Sequence, residues 1–213
     1  NEEFEYVIVS SGSPSEAHDA IKHIIDWEIE SNNLAEVEKY LQRDLETHKD
    51  DSATYFDIIT YVQSVYVELG EFEKAIDLLK SSAKEHPDNL EIYRLLGNLE
   101  FERRSYRDAR HHYEKYVKGG VKYSSSYYNL GACYLEARNK SKAKKYFELA
   151  MKMGHDEACQ KYRELTAKTR YIISSQCCDG STSSSTGRGT CSHHGGVCGT
   201  IRTPYKDYTV RCN

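Results

Sequence analysis

No run of about 18 apolar residues occurs in this chain of 213 residues, so no segment reads as a membrane-spanning helix. No signal-peptide pattern opens it, and the first residue is Asn1 rather than methionine, as in a processed or trimmed product. A concentrated basic face is also missing. Residues 171–213 hold Arg188, Arg202, Lys206 and Arg211 against Asp179 and Asp207, a net of +2, which leaves −6 on the rest of a chain whose total is −4. Nucleic-acid recognition wants a basic footprint, so no nucleic-acid partner is expected. Cys-x-x-Cys pairs, a Gly-rich phosphate loop, a Ser/His/Asp order and a paired-carboxylate motif are absent as well. With them go the usual signatures of a zinc finger, a nucleotide-binding enzyme and a hydrolase. The expectation is a soluble, non-catalytic chain with no cofactor.

What is present is a period. Ala75, Ala109 and Ala143 recur at an interval of 34. Tyr127, Leu130, Gly131 and Tyr134 precede the last alanine, and Phe147 and Ala150 follow it. One interval upstream stand Tyr93, Leu96, Gly97 and Tyr113; one further back stand Ile59, Val62, Tyr66, Gly70, Phe72, Leu79 and Pro87. Gln63 and Glu100 depart from the pattern, at a small and a tyrosine position. Paired antiparallel helices cannot bury both apolar faces alone, so successive pairs must stack. Small residues suit the close crossings and large aromatics fill the gaps between them. Gly70 falls where a first helix should end, and Pro87 where a second should stop.

Large-x-x-Leu-Gly-x-x-Tyr followed by Ala-x-x-x-Phe resembles the tetratricopeptide repeat, whose period is 34 residues. The resemblance covers residues 14–170 and implies a mostly α, helical-hairpin solenoid with three clear repeats, one divergent repeat and a capping helix. SEAHDAIKHIIDWEIE, with Ala17, Ile21, Ile24, Ile25 and Trp27 at helical spacing, opens the divergent repeat after Ser13 and Pro14. Leu34, Val37, Leu41 and Leu45 form its second helix. Leu34 and Val37 align with Phe72 and Ala75 at an offset of 38, which predicts a longer connection after them. DEACQKYRELTAKTRY, with Ala158, Tyr162 and Leu165 on one face, reads as a single capping helix.

The resemblance also implies a concave face lined by the first helix of each repeat. Asp57, Thr60, Ser64, Arg94, Asn98, Phe101, Ser125, Tyr128, Asn129 and Ala132 belong there. A peptide or protein segment is the expected ligand, with Arg94, Asn98, Phe101, Tyr128 and Asn129 the candidate contacts. Arg94, Asn98 and Asn129, with Arg163 as a fourth, match positions where some relatives clamp a C-terminal carboxylate. The plainer alternative is a mixed polar groove in which Arg94 pairs with a neighbouring glutamate. A homo-oligomer or larger assembly is compatible with either.

Outside the repeats the chain changes character. FEYVIVS, residues 4–10, mixes β-branched and aromatic residues, so residues 1–13 are expected to be a strand or disordered. KDYTVRC, residues 206–212, also reads as a strand. Residues 171–213 are rich in Gly, Ser and Thr and carry Cys177, Cys178, Cys191, Cys198 and Cys212. So short a segment cannot order itself on hydrophobic burial, so it needs disulfides or a metal. At least two disulfides are expected, with adjacent Cys177 and Cys178 going to different partners. The fifth cysteine is free or bonded elsewhere; Cys133, within the repeats, reads as a small buried hydrophobe. Zinc on Cys191, His193, His194 and Cys198 is the metal alternative, and a general base at His193 or His194 the catalytic one.

Cys177, Asp179, Gly180 and Ser181, then Gly189, Cys191, Ser192, His193, His194, Gly195, Gly196 and Val197, resemble the CSHHGGV signature of an uncharacterised bacterial domain of exported and envelope proteins. Cys178, Cys198 and Cys212 are additional to it. That resemblance implies an extracytoplasmic setting: periplasm, cell surface or secretion. The expected function is an interaction scaffold or assembly subunit of such a complex. An envelope enzyme or toxin-like tail module, with the repeats as targeting arm, is the alternative.

Overall fold

The structure is a computed structural model that describes residues 2–10, 12–48, 52–186 and 190–212. Gly189 of the tail motif lies outside the described residues. The chain divides into two compact units, Asn1–Gly119 and Gly120–Asn213. The first holds α1 (Glu2–Ser10), α2 (Pro14–Glu30), α3 (Leu34–His48), α4 (Ser52–Glu68), α5 (Phe72–Glu85), α6 (Leu90–Glu102) and α7 (Tyr106–Lys118). The second holds α8 (Ser124–Glu136), α9 (Lys140–Lys152), α10 (Asp156–Thr166), β1 (Lys168–Cys177), β2 (Thr182–Ser183) and β3 (Val197–Asp207). Within each unit every helix packs on the next in sequence, and no strand occurs between residues 55 and 155.

The 34-residue period is visible in packing and backbone alike. Ala75, Ala109 and Ala143 are fully buried. At Gly97 an added Cβ would lie 2.8 Å from the Tyr113 ring, and at Gly131, one period on, 2.8 Å from the Phe147 ring. The missing Cβ leaves room for an aromatic of the second helix to pack closely against the first. Where Gln63 takes the small position, the aromatic position is Leu79, so the exception is matched by its partner. Glu100, at the tyrosine position, is buried and faces Lys80 at 4.0 Å. Gly70 has φ +77°, and its equivalents Arg104 and Arg138 are left-handed too, at φ 61° and 57°. At each, the helix closes with a six-residue capping bond: Glu71 N–H to Tyr66, Ser105 N–H to Glu100 and Asn139 N–H to Tyr134, at 2.7–2.9 Å.

Four expectations are corrected. Residues 2–10 are helical, neither strand nor disordered. Phe4 stacks on His23 at 5.2 Å, and Glu5 pairs with Arg43 and accepts from the Tyr40 hydroxyl. These contacts with α2 and α3 override the β preference of Val7–Ile8–Val9, a preference that is always context-dependent. The Tyr40 hydrogen bond, foremost, holds the Glu5 carboxyl below its usual range. The offset of 38 is absorbed by longer helices: α3 and α4 have 15 and 17 residues, against 14 and 13 in α5 and α6. The capping helix stops at Thr166, whose hydroxyl donates back to the Tyr162 carbonyl at 2.8 Å, and Ala167 turns extended at ψ 132°. Lys168 onward is strand.

The sheet order is β2-β1-β3, all antiparallel. β3 ends at Asp207, so residues 208–212 are not the strand expected there. They turn back instead, with the Tyr208 ring under the Arg163 guanidinium at 4.4 Å and Cys212 bonded to Cys159.

Candidate functional site

The first unit presents a cleft of about 400 Å³ between the first helices of its first two pairs. Ser15, His18, Asp19 and Lys22 come from α2; Asp57, Thr60, Tyr61, Gln63 and Ser64 come from α4. Asp57, Thr60 and Ser64 are residues that the sequence places on the concave face. The α2 residues were missed because the divergent repeat offers no consensus to align. Their signal was there: they occupy the helix side opposite Ala17, Ile21 and Ile24.

The cleft is built on a buried polar cluster. His18 Nδ1 lies 2.6 Å from Asp44 Oδ2, while His48 Nδ1 hydrogen-bonds the Asp44 backbone carbonyl at 3.0 Å and lies 3.0 Å from Asp44 Oδ1, which has no hydrogen-bond partner. Asp44 is fully buried and both imidazoles nearly so. A buried carboxylate persists only with such partners, so the cluster fixes α2 against α3 and sets the position of His18. On the α4 side Tyr61 donates to Asp26 at 3.0 Å, and burial, with Asp26 adding to it, pushes its hydroxyl pKa up. Lys22 lies 5.5 Å from the Tyr61 ring centroid. The surface that results mixes cation, carboxylate and hydroxyl. It offers hydrogen-bond donors and acceptors along both helices.

The other groove candidates fall in both units. In the first, Arg94, Asn98 and Phe101 follow one another along α6, each half-buried. Arg94 Nε pairs with Glu91, the plainer alternative to a carboxylate clamp. Asn98 Oδ1 accepts from the Tyr113 hydroxyl at 2.8 Å. Phe101 packs edge-on to Tyr106 and Tyr113. In the second unit Tyr128 and Asn129 are half-buried on α8, and Tyr128 stacks on His155 at 4.5 Å between centroids. Arg163 lines a separate cleft of about 400 Å³ with Gln160, Glu164, Tyr208 and Cys212, and its Nε is buried without a hydrogen-bond partner.

In the tail all five cysteines are disulfide-bonded. Cys177 pairs with Cys191 and Cys178 with Cys198, so the adjacent pair does diverge. Cys212 reaches Cys159 on α10, across 53 residues. Cys133 is a buried thiol that takes no part in a disulfide. With Cys191 and Cys198 bonded to different partners, the four-ligand set with His193 and His194 does not assemble, and no other metal-ligand cluster occurs among the described residues. His193 and His194 are exposed. His194 Nδ1 lies 2.6 Å from Asp179 Oδ2, and the Ser181 hydroxyl and amide donate to Asp179 Oδ1 at 2.7 and 3.0 Å. Those Ser181 bonds above all, with His194 adding to them, bring the Asp179 carboxyl down to about 2.

The tetratricopeptide repeat family model matches residues 64–120 and 95–158. Among solved structures, MamA is 20% identical with a TM-score of 0.55, covering 68% of this chain and 78% of its own. YrrB, described as a TPR protein with an unusual peptide-binding site, is 18% identical with a TM-score of 0.51, covering 59% of this chain and 63% of its own. BtubC from P. vanneervenii is 15% identical with a TM-score of 0.60, covering 77% of this chain and 78% of its own. No curated protein matches the chain in sequence. The buried alanines, the glycine–aromatic crossings and the recurrent left-handed helix ends are the physical content of that match, which spans residues 64–158.

Proposed function

We propose that the chain is a non-catalytic protein–protein interaction scaffold or assembly subunit of an exported or cell-envelope complex. It takes a peptide or protein segment along the first-helix faces of its repeats. The observation that carries this reading is the α2–α4 cleft, where a polar surface of mixed sign sits on a rigid buried cluster. Arg94, Asn98, Phe101, Tyr128 and Asn129 are the further contacts. YrrB, similar in fold, is described as having a peptide-binding site. The disulfides support an extracytoplasmic location, since thiols in the reducing cytosol rarely stay paired.

The alternative, an enzyme, toxin-like or zinc module in the CSHHGGV tail, has the exposed His194–Asp179 pair in its favour. It is the weaker reading because Ser181 donates to the carboxylate and not to the imidazole, so no nucleophile is activated. Panning a displayed peptide library on the oxidised chain, followed by calorimetry, tests the choice. Asp57→Lys and the pair R94A/N98A should weaken a selected peptide about tenfold or more, with His194→Ala without effect. Peptides that bind those groove variants unchanged, or that need His194, would overturn the reading.

A further inference from the structure

The charge of this chain is segregated by unit. Asn1–Gly119 carries 14 Lys and Arg against 26 Asp and Glu, a net of −12; Gly120–Asn213 carries 15 against 7, a net of +8. Each extreme coincides with exposed apolar surface. At the acidic end, residues 2–48 hold 12 acidic side chains against 3 basic ones. There α2 exposes Glu16, His23, Trp27 and Glu30 along one side, with the Phe4 ring of α1 stacked on His23 between them, and Trp27 is 51% exposed. At the basic end, the β1–β3 ribbon is exposed over residues 168–173 and 202–206 on both faces.

The ribbon pairs Arg170 with Tyr205, Tyr171 with Pro204, Ile172 with Thr203 and Ile173 with Arg202. Tyr171, Ile172 and Ile173 are 56%, 57% and 49% exposed, and Lys168 and Lys206 extend the basic charge. A two-stranded ribbon without packing on either face is marginal alone, and exposed apolar patches of this kind mark docking surfaces. The dimensions agree: six ribbon residues span about 20 Å, and Glu16 to Glu30 on a helix spans about 21 Å.

We propose that this chain associates with copies of itself head to tail, the basic, apolar β1–β3 ribbon of one copy seating on the acidic stripe of α2 in the next. Opposite charges rim the contact, and Trp27 meets the ribbon face that carries Tyr171 and Ile173 with Arg202 and Lys206. Such a contact joins unlike surfaces, so it propagates unless the rotation closes a ring. It involves the α2 stripe and the ribbon, so it stands or falls separately from peptide binding in the cleft.

Sedimentation velocity of the oxidised full chain tests it. At about 0.02 M salt the mass should rise above 24.5 kDa with protein concentration. Association should weaken at least about tenfold by about 0.5 M salt. R170E/R202E/K206E and E16K/E30K should each be monomeric, because each makes the two surfaces alike in sign. An equimolar mixture of the two variants should associate again, since each then offers the other an opposite surface; circular dichroism of each variant confirms its helices. A wild-type chain that stays monomeric at low salt, association indifferent to salt, or folded variants that fail to recover on mixing would each overturn the proposal.

Discussion

The repeats around α6–α9 and the tail beyond α10 are ordered by opposite means. In α8 and α9, Leu130, Cys133, Tyr134, Ala143, Phe147 and Ala150 are all buried, and the fold there is a packing problem solved by side-chain size. Beyond residue 167 the only buried apolar side chains among the described residues are Cys177 and Cys191, which are bonded to each other. The tail buries its own cross-link and little else. Repeats draw order from their neighbours, whereas the tail draws it from covalent bonds and a backbone ladder. A change that destroys one should therefore leave the other standing.

Reduction should give the largest effect. Each disulfide contributes about 2–4 kcal/mol by restricting the unfolded chain. Thiol treatment should collapse hydrogen-exchange protection in β1 and β3 while amides of α6–α9 keep theirs; joint loss would show that the repeats depend on the tail. Phe147→Ala is the converse experiment. Removing a ring that lies on Gly131 should cost about 3–5 kcal/mol in urea unfolding followed by helical signal. The tail disulfides should survive it, as peptide mapping without reductant would show.

The smallest effect is a pH dependence confined to the repeats. Burial, foremost, with His111 and Lys80 adding to it, brings the His112 imidazole down to about 4, from an ordinary value near 6.5, and its Nδ1 is buried without a partner. The unfolded chain thus binds the proton more readily. The stability that neutral His112 contributes is full above about pH 6.5 and is lost as pH falls through about 4. His112→Gln should flatten the urea midpoint between pH 7 and 4.5. A tail probe, such as Tyr171 exchange, should not follow that titration.

The difference between the two regions also explains what the sequence revealed. Packing leaves a trace in residue size and spacing, so the alanine interval, the Gly97 and Gly131 crossings and the helix end at Gly70 could all be anticipated. A third of the cleft lining was equally legible, through Asp57, Thr60 and Ser64. Cross-links leave no such trace, because a cysteine does not encode its partner. Nothing around Cys159 distinguishes it from another helical cysteine, yet it takes Cys212. Helix α1 and the His18–Asp44–His48 cluster were hidden for a related reason. Each is fixed by contacts with neighbouring helices, at positions that no repeat consensus reaches.

The Cys159–Cys212 bond has a mechanical consequence. Tension applied to the backbone beyond Cys212 passes through the sulfur bridge directly to α10, and the 52 intervening residues carry none of it. The ribbon and its two inner disulfides form a slack loop in parallel with a taut covalent strut. In a single-molecule pulling experiment the loop would add no length until that bridge is reduced, and the two inner disulfides would still withhold the contour of residues 177–198 until they too were reduced.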